Sequence, residues 1–227
     1  MEREKTKEYR VQNISDLCKP EIFSKCVKYA ENEYRPYDSA SYLYREIIER
    51  HQEKTLQILL SESRFKELIY ATLTAFNMNG RAAKMFDFKK FCENLENVQP
   101  YVSKLGSLDF RDIKDEQELN KFLLDIEPIF KILNVMASKS QLVGVSKTLH
   151  FLFPKLIMPI DRKFTLEFFH LASSQDKDEA WYVFRKIFEY FFGISKEVKS
   201  EFPTKGSLPK LIDNAIIGFV SMPKKNR

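Results

Sequence analysis

The stretch VGVSKTLHFLFPKLIMPID, residues 143–161, carries one glycine, two lysines, one histidine, two prolines and a closing aspartate. The whole chain of 227 residues has only six glycines and three histidines. Packing accounts for the Leu, Phe and Ile positions. It does not account for Lys147 between a glycine and an apolar helix, or for Asp161 directly after a proline-marked return. The segment reads as a helix 129–140, a turn QLVGVS (141–146) that uses the conformational freedom of Gly144, and a short second helix SKTLHFLF that Pro154 ends. Helix, glycine turn, helix makes a hairpin. The first amides of its second helix are then free to meet a phosphate.

The charge pattern singles out the same place. Between residues 131 and 165 stand Lys131, Lys139, Lys147, Lys155, Arg162 and Lys163 against Asp161 alone, so the whole formal excess of +5 lies here. A basic field on an otherwise neutral body suits an anionic partner such as DNA, or else a solvated lysine-rich surface.

LVGVSKTL (142–149) resembles the helix-hairpin-helix motif of the DNA glycosylase superfamily that includes endonuclease III and the 8-oxoguanine glycosylases. It also resembles microbial proteins with a similar SKTLHFL…P…D core. The resemblance implies a two-lobed all-α fold and binding of the DNA backbone through Val143, Gly144, Val145 and Ser146. It implies catalysis by Lys147 as a nucleophile on the sugar C1′, with Asp161 of PID (159–161) as the essential carboxylate. Ser146 stands where the family has a second glycine, and the interval from Lys147 to Asp161 is fourteen residues. Reach allows the pairing: residues 147–153 rise only ~10 Å as helix, and the return to 161 can span roughly 25 Å if extended.

Each residue also has a plainer role. Gly144 can be a tight turn, Lys147 a solvated cation, and Asp161 the N-cap of RKFTLEFFHL. His150, three residues after Lys147, reads as a half-buried hydrogen-bonded histidine that can back the site. Lys139, Lys155, Arg162 and Lys163 are the expected DNA-backbone contacts. Lys155, Arg162 or Lys163, together with partial burial, would make the Lys147 amine more nucleophilic.

The rest of the chain reads as helices. With 44% hydrophobic and 14% aromatic residues it can fill one sizeable core, as one helical domain that can divide into two lobes near residues 103–117. Pro20 starts a helix, Asp38 or Ser39 caps another, and ELIYATLTAF (67–76) reads as a central buried helix ending near Gly80. Asp87 caps a segment from Phe88, and Pro128 opens the helix before the motif. EAWYVFRKIFEYFFG (179–193) carries an aromatic stripe and ends at Gly193, and KLIDNAIIGFV (210–220) is the last helix. The absence of a long apolar run and of a secretory start leads to an expectation of a cytoplasmic protein with no membrane partner. Three cysteines without ligand spacing point to no metal, and no cofactor is expected. Two alternatives to a glycosylase stay open. One is a non-catalytic nucleic-acid-binding protein on the same scaffold, and the other is a helical protein-interaction module.

Overall fold

A computed structural model describes residues 4–33, 39–80, 83–173, 175–199 and 206–223. These residues form twelve α-helices: α1 Glu4–Leu17, α2 Pro20–Asn32, α3 Ser39–Glu53, α4 Leu56–Ser61, α5 Ser63–Ala75 and α6 Phe88–Glu96, then α7 Gln99–Leu105, α8 Glu116–Ile132, α9 Leu142–Leu152, α10 Thr165–Phe168, α11 Lys177–Val198 and α12 Leu208–Ser221. The only β-type pairing among them is an isolated bridge between Met85 and Met136. The fold is all-α. None of the described helices is long and apolar enough to cross a membrane. Asp38 and the basic tail 224–227 lie outside the described residues.

The capping residues do what their chemistry predicts. Asp87, Asp115, Asp176 and Ser207 each accept a first-turn amide with their side chains, which satisfies donors that a helix start leaves unpaired. Pro20 and Pro209 occupy first-turn positions, where a missing N–H costs nothing.

The buried centre is α9. Ten of its eleven residues, Leu142 and residues 144–152, are buried, and it packs against α3, α5, α8 and α11. Its polar residues Ser146, Lys147, Thr148 and His150 are buried with the apolar ones and find hydrogen-bond partners there. That place was expected for ELIYATLTAF. Instead, α5 buries only one stripe, Phe65, Lys66, Ile69, Thr72 and Leu73, and exposes Ala71, Thr74 and Ala75. It ends at Ala75, and the chain turns away through Asn77 at φ 61°, ahead of Gly80. Around α9, Phe110, Phe122, Phe130, Trp181, Phe184, Phe188 and Phe191 form a chain of aromatic contacts at centroid distances of 4.3–6.2 Å. Phe110, in the polar stretch before α8, is thereby tied into the core.

The approach to the motif differs from the sequence reading. Pro128 does not open a helix; it sits inside α8, and the carbonyl it deprives of a partner belongs to Leu124 on the exposed side. α8 stops at Ile132, and residues 133–141 run as non-helical chain. Their backbone groups are claimed from outside: Phe86 N–H donates to Val135 O at 3.3 Å, and Ala137 N–H to Lys84 O at 2.7 Å. There is therefore no helix–turn–helix hairpin at residues 129–153, and Gly144 lies in the first turn of α9. Glycine is needed there for space, since a Cβ would come within 2.5 Å of the Met136 side chain. Gly218 has a similar role where α12 crosses α2, because its Cβ would fall 2.0 Å from the Cys26 carbonyl oxygen. Gly193 does not end α11, which runs on to Val198 with open space where a glycine side chain would be.

Candidate functional site

α9 presents Lys147 to a cavity of about 710 Å³. The return from α9 lies alongside it. Ser146 fixes the register: its hydroxyl donates to Val143 O at 3.1 Å, and its oxygen accepts Ile160 N–H at 3.2 Å. This holds PID against the turn of α9 that carries Lys147. Ser146 is thus a clamp between α9 and the return that follows it.

Asp161 then uses every polar atom. Its N–H donates to Thr165 Oγ1 at 2.9 Å and its carbonyl accepts Leu166 N–H at 3.0 Å. Oδ1 accepts Lys163 N–H at 2.8 Å, and Oδ2 accepts Lys147 Nζ at 3.0 Å. Asp161 is not the N-cap of α10, whose N-cap is Phe164. It closes the turn just before that helix with one oxygen and pairs with the lysine through the other. Burial pushes its carboxyl up. The Lys147 charge and hydrogen bond, with the Lys163 and Phe164 amides, outweigh burial and hold it below the ordinary carboxylate range. Lys147 is only 6% exposed, and its Nζ also lies 4.5 Å from the centre of the Phe76 ring, a cation–π contact on the open side of the pair.

His150 occupies the next turn and is buried. Its Nδ1 lies 2.6 Å from Ile157 O, and its Nε2 lies 3.0 Å from Tyr44 Oη. A carbonyl only accepts, so Nδ1 carries the proton, Nε2 accepts from the tyrosine, and the ring is neutral. Burial pulls its pKa down to about 3 despite the Ile157 hydrogen bond. The histidine is a fixed strut that aims Tyr44. Burial in turn raises the Tyr44 phenol.

The opposite wall comes from α12, which the sequence reading did not connect to the motif. Lys210 and Asp213 pair at 2.6 Å, with Lys210 Nζ 5.8 Å from the Tyr44 ring centre. Burial pushes the Asp213 carboxyl above its usual range against the pull of Lys210 and Lys147, and the Asp161 charge adds to the push. The one signal for this pair was an aspartate inside the apolar run LIDNAII, a residue that has to find a partner when buried. Phe76, Phe151 and Phe164 supply apolar wall, and Glu31, Ser39, Ser41 and Arg45 form an exposed rim. Among the described residues no cluster of His, Cys, Asp and Glu is arranged to hold a metal ion.

The other expected contact residues scatter. Gly144, Val145 and Ser146 are buried and Val143 is half-buried, so the first turn of α9 is covered, with Gly144 under Met136. Lys139, Lys155, Arg162 and Lys163 are exposed. Arg162 and Lys163 follow Asp161 in the chain without lining the cavity, whereas Lys155 borders a separate depression with His51 and Lys54. Two of the six basic residues are neutralised, Lys147 by Asp161 and Lys131 by Glu127 and Asp178 at 2.9 and 3.0 Å.

Compared with protein-family models, curated proteins and solved structures, the chain matches none.

Proposed function

We propose that this protein acts on DNA at the α9 cavity as a glycosylase or glycosylase/lyase, with Lys147 as nucleophile and Asp161 as the supporting carboxylate. The observation that carries this reading is the 3.0 Å Lys147–Asp161 pair, half-buried on the wall of a cavity of about 710 Å³. That size falls within the roughly 300–1,000 Å³ of small-molecule sites. A base taken out of the duplex would meet the rings of Phe76, Tyr44 and Phe164 as apolar lining. Asp161, held ionised by backbone amides and Lys147, stabilises the positive charge that develops on the sugar as the base departs. Lys147 must first give up a proton, for which the open rim provides water, and its nitrogen then bonds C1′. The backbone grip cannot be a glycine hairpin. It falls to exposed cations, of which Arg162 and Lys163 directly follow Asp161 in the chain.

Sodium borohydride tests the reading. With abasic or oxidised DNA, wild-type protein is expected to trap a covalent complex, while Lys147→Gln traps none yet keeps its melting temperature and DNA affinity. No trapping by wild type, or equal trapping by Lys147→Gln, rejects it. A Lys147→Gln variant that loses only stability assigns the pair to holding the fold together, as in a non-catalytic binding protein.

A further inference from the structure

The Lys147–Asp161 chemistry leaves one demand unmet. The departing base takes the electron pair of its bond to C1′, and a neutral base leaves slowly unless a proton reaches it. Asp161 cannot supply that proton while it serves as the ionised carboxylate.

We propose that Asp213 is the proton donor to the departing base, so that the cavity divides the two tasks between two carboxyl groups. This rests on the glycosylase reading above. Asp213 lines the same cavity as Lys147 and Asp161, from α12. Its side chain is only 6% exposed, and its Oδ2 is paired with Lys210 at 2.6 Å. It differs from Asp161 in its donors. Asp161 accepts a backbone amide as well as the lysine, whereas the bond from Lys210 is the one that Asp213 accepts among the described residues.

The surroundings of Asp213 are defined. Lys210 comes from its own helix, Lys147 from α9, Asp161 from the return, and Tyr44 from α3. α2 adds Glu31 to the same lining, held by Asn214 Nδ2 at 3.1 Å, and α3 adds Arg45 at the rim. Among the described residues, α1, α10 and α11 place no charged side chain on this cavity. Burial and Asp161 favour the protonated form of Asp213, and backbone amides with Lys147 favour the ionised form of Asp161. Two carboxyls pushed in opposite directions in one cavity are the arrangement by which acid and base roles are separated.

The step balances. The C1′–base bond breaks with its electron pair going to the base nitrogen, which takes the Asp213 proton. The neutral Lys147 amine bonds C1′ and becomes a secondary ammonium. That ammonium returns its surplus proton to the Asp213 carboxylate, whose transient charge Lys210 holds.

The test compares two leaving groups in otherwise identical duplexes. 8-Oxoguanine leaves as a neutral base and needs the proton; 7-methylguanine already carries positive charge and does not. Asp213→Asn is expected to slow 8-oxoguanine release by about 10²–10⁴-fold and to slow 7-methylguanine release far less. Asp213→Glu, which keeps an acid, should recover part of the rate. In wild type, 8-oxoguanine release should fall as pH rises through the raised Asp213 value, and 7-methylguanine release should lack that limb. This readout stands even if the variants fold poorly. Equal losses on both bases in Asp213→Asn, or no difference between the two wild-type pH profiles, overturns the role of Asp213 while the Lys147 reading survives. A wild-type protein that releases neither base and traps neither duplex overturns both.

Discussion

Two lysine–aspartate pairs line the same cavity, and they differ in burial and in backbone setting. Lys147 and Asp161 are fourteen residues apart and meet because Ser146 pins the return to α9. Asp161 is surrounded by donors. Lys210 and Asp213 are three residues apart on one helix and meet through helical geometry alone. Asp213 is more deeply buried and has fewer donors. The same two residue types therefore give one carboxyl pulled below its ordinary range and one pushed above it. Burial decides the outcome at Asp213, while at Asp161 the Lys147 charge and hydrogen bond, joined by two backbone amides, overcome it.

The sharpest way to break this contrast is Asp161→Asn. It removes the charge but keeps an acceptor for Lys163 N–H. Single-turnover base release should fall by about 10²–10³-fold, the usual cost of removing a preorganised electrostatic partner, and the melting temperature should fall too, because buried Lys147 loses its charge partner. Asp161→Ala loses the turn as well and should cost about 1 kcal/mol more in thermal unfolding. If Asp161→Asn leaves release intact while Asp161→Ala melts early, the aspartate only closes a turn.

Ser146 is the next handle, because it builds the first pair and has no counterpart at the second. Ser146→Gly orphans the buried Ile160 N–H. It should cost about 1–3 kcal/mol by denaturant unfolding and loosen the 3.0 Å Lys147–Asp161 pair. A Ser146→Gly protein as stable as wild type would show that the return is held by other interactions.

Acid and base should act on the two pairs with opposite sign. Asp161 has a lowered folded value, so the unfolded chain binds more protons in that window. The stability it contributes is present above the ordinary aspartate value and lost as pH falls through the folded one. Asp213 has a raised folded value, so the folded chain binds more protons, and stability is lost as pH rises from the ordinary value through the folded one. Melting curves against pH should therefore lose their acid-side slope in Asp161→Asn and their slope above the ordinary aspartate value in Asp213→Asn. Parallel curves for the two variants would erase the distinction.

The smallest effect concerns binding. Each pair is neutral within itself, so the grip on DNA must come from the exposed cations. Reversing Lys139 and Lys155 to Glu should flatten the dependence of DNA affinity on salt, by about one unit of slope for each phosphate that is no longer neutralised. An unchanged slope would remove these two lysines from the footprint.

The sequence made the helices legible wherever a cap or a stripe was local. The starts of α2 and α6 and the aromatic stripe of α11 are short-range patterns. Lys147, Asp161 and the return between them could be read as one unit because all lie within one motif. Three features could not. The break of α8 at Ile132 depends on residues 84–86 claiming the following backbone, an interaction from far along the chain. Gly144 is spent on room for Met136 rather than on a turn, and a glycine looks the same in either role. Asp213 and Tyr44 come from α12 and α3, and only the tertiary packing of those helices, α12 against α2 and α3 against α9, brings them to the cavity.

The most direct test of Lys147 as the nucleophile is the identity of the attached residue. Protein trapped by borohydride on abasic DNA is digested, and the peptide bearing the reduced sugar is sequenced by mass spectrometry. Attachment is expected at Lys147 Nζ. Attachment at Lys163, Lys210 or any other amine, with Lys147 unmodified, would contradict it.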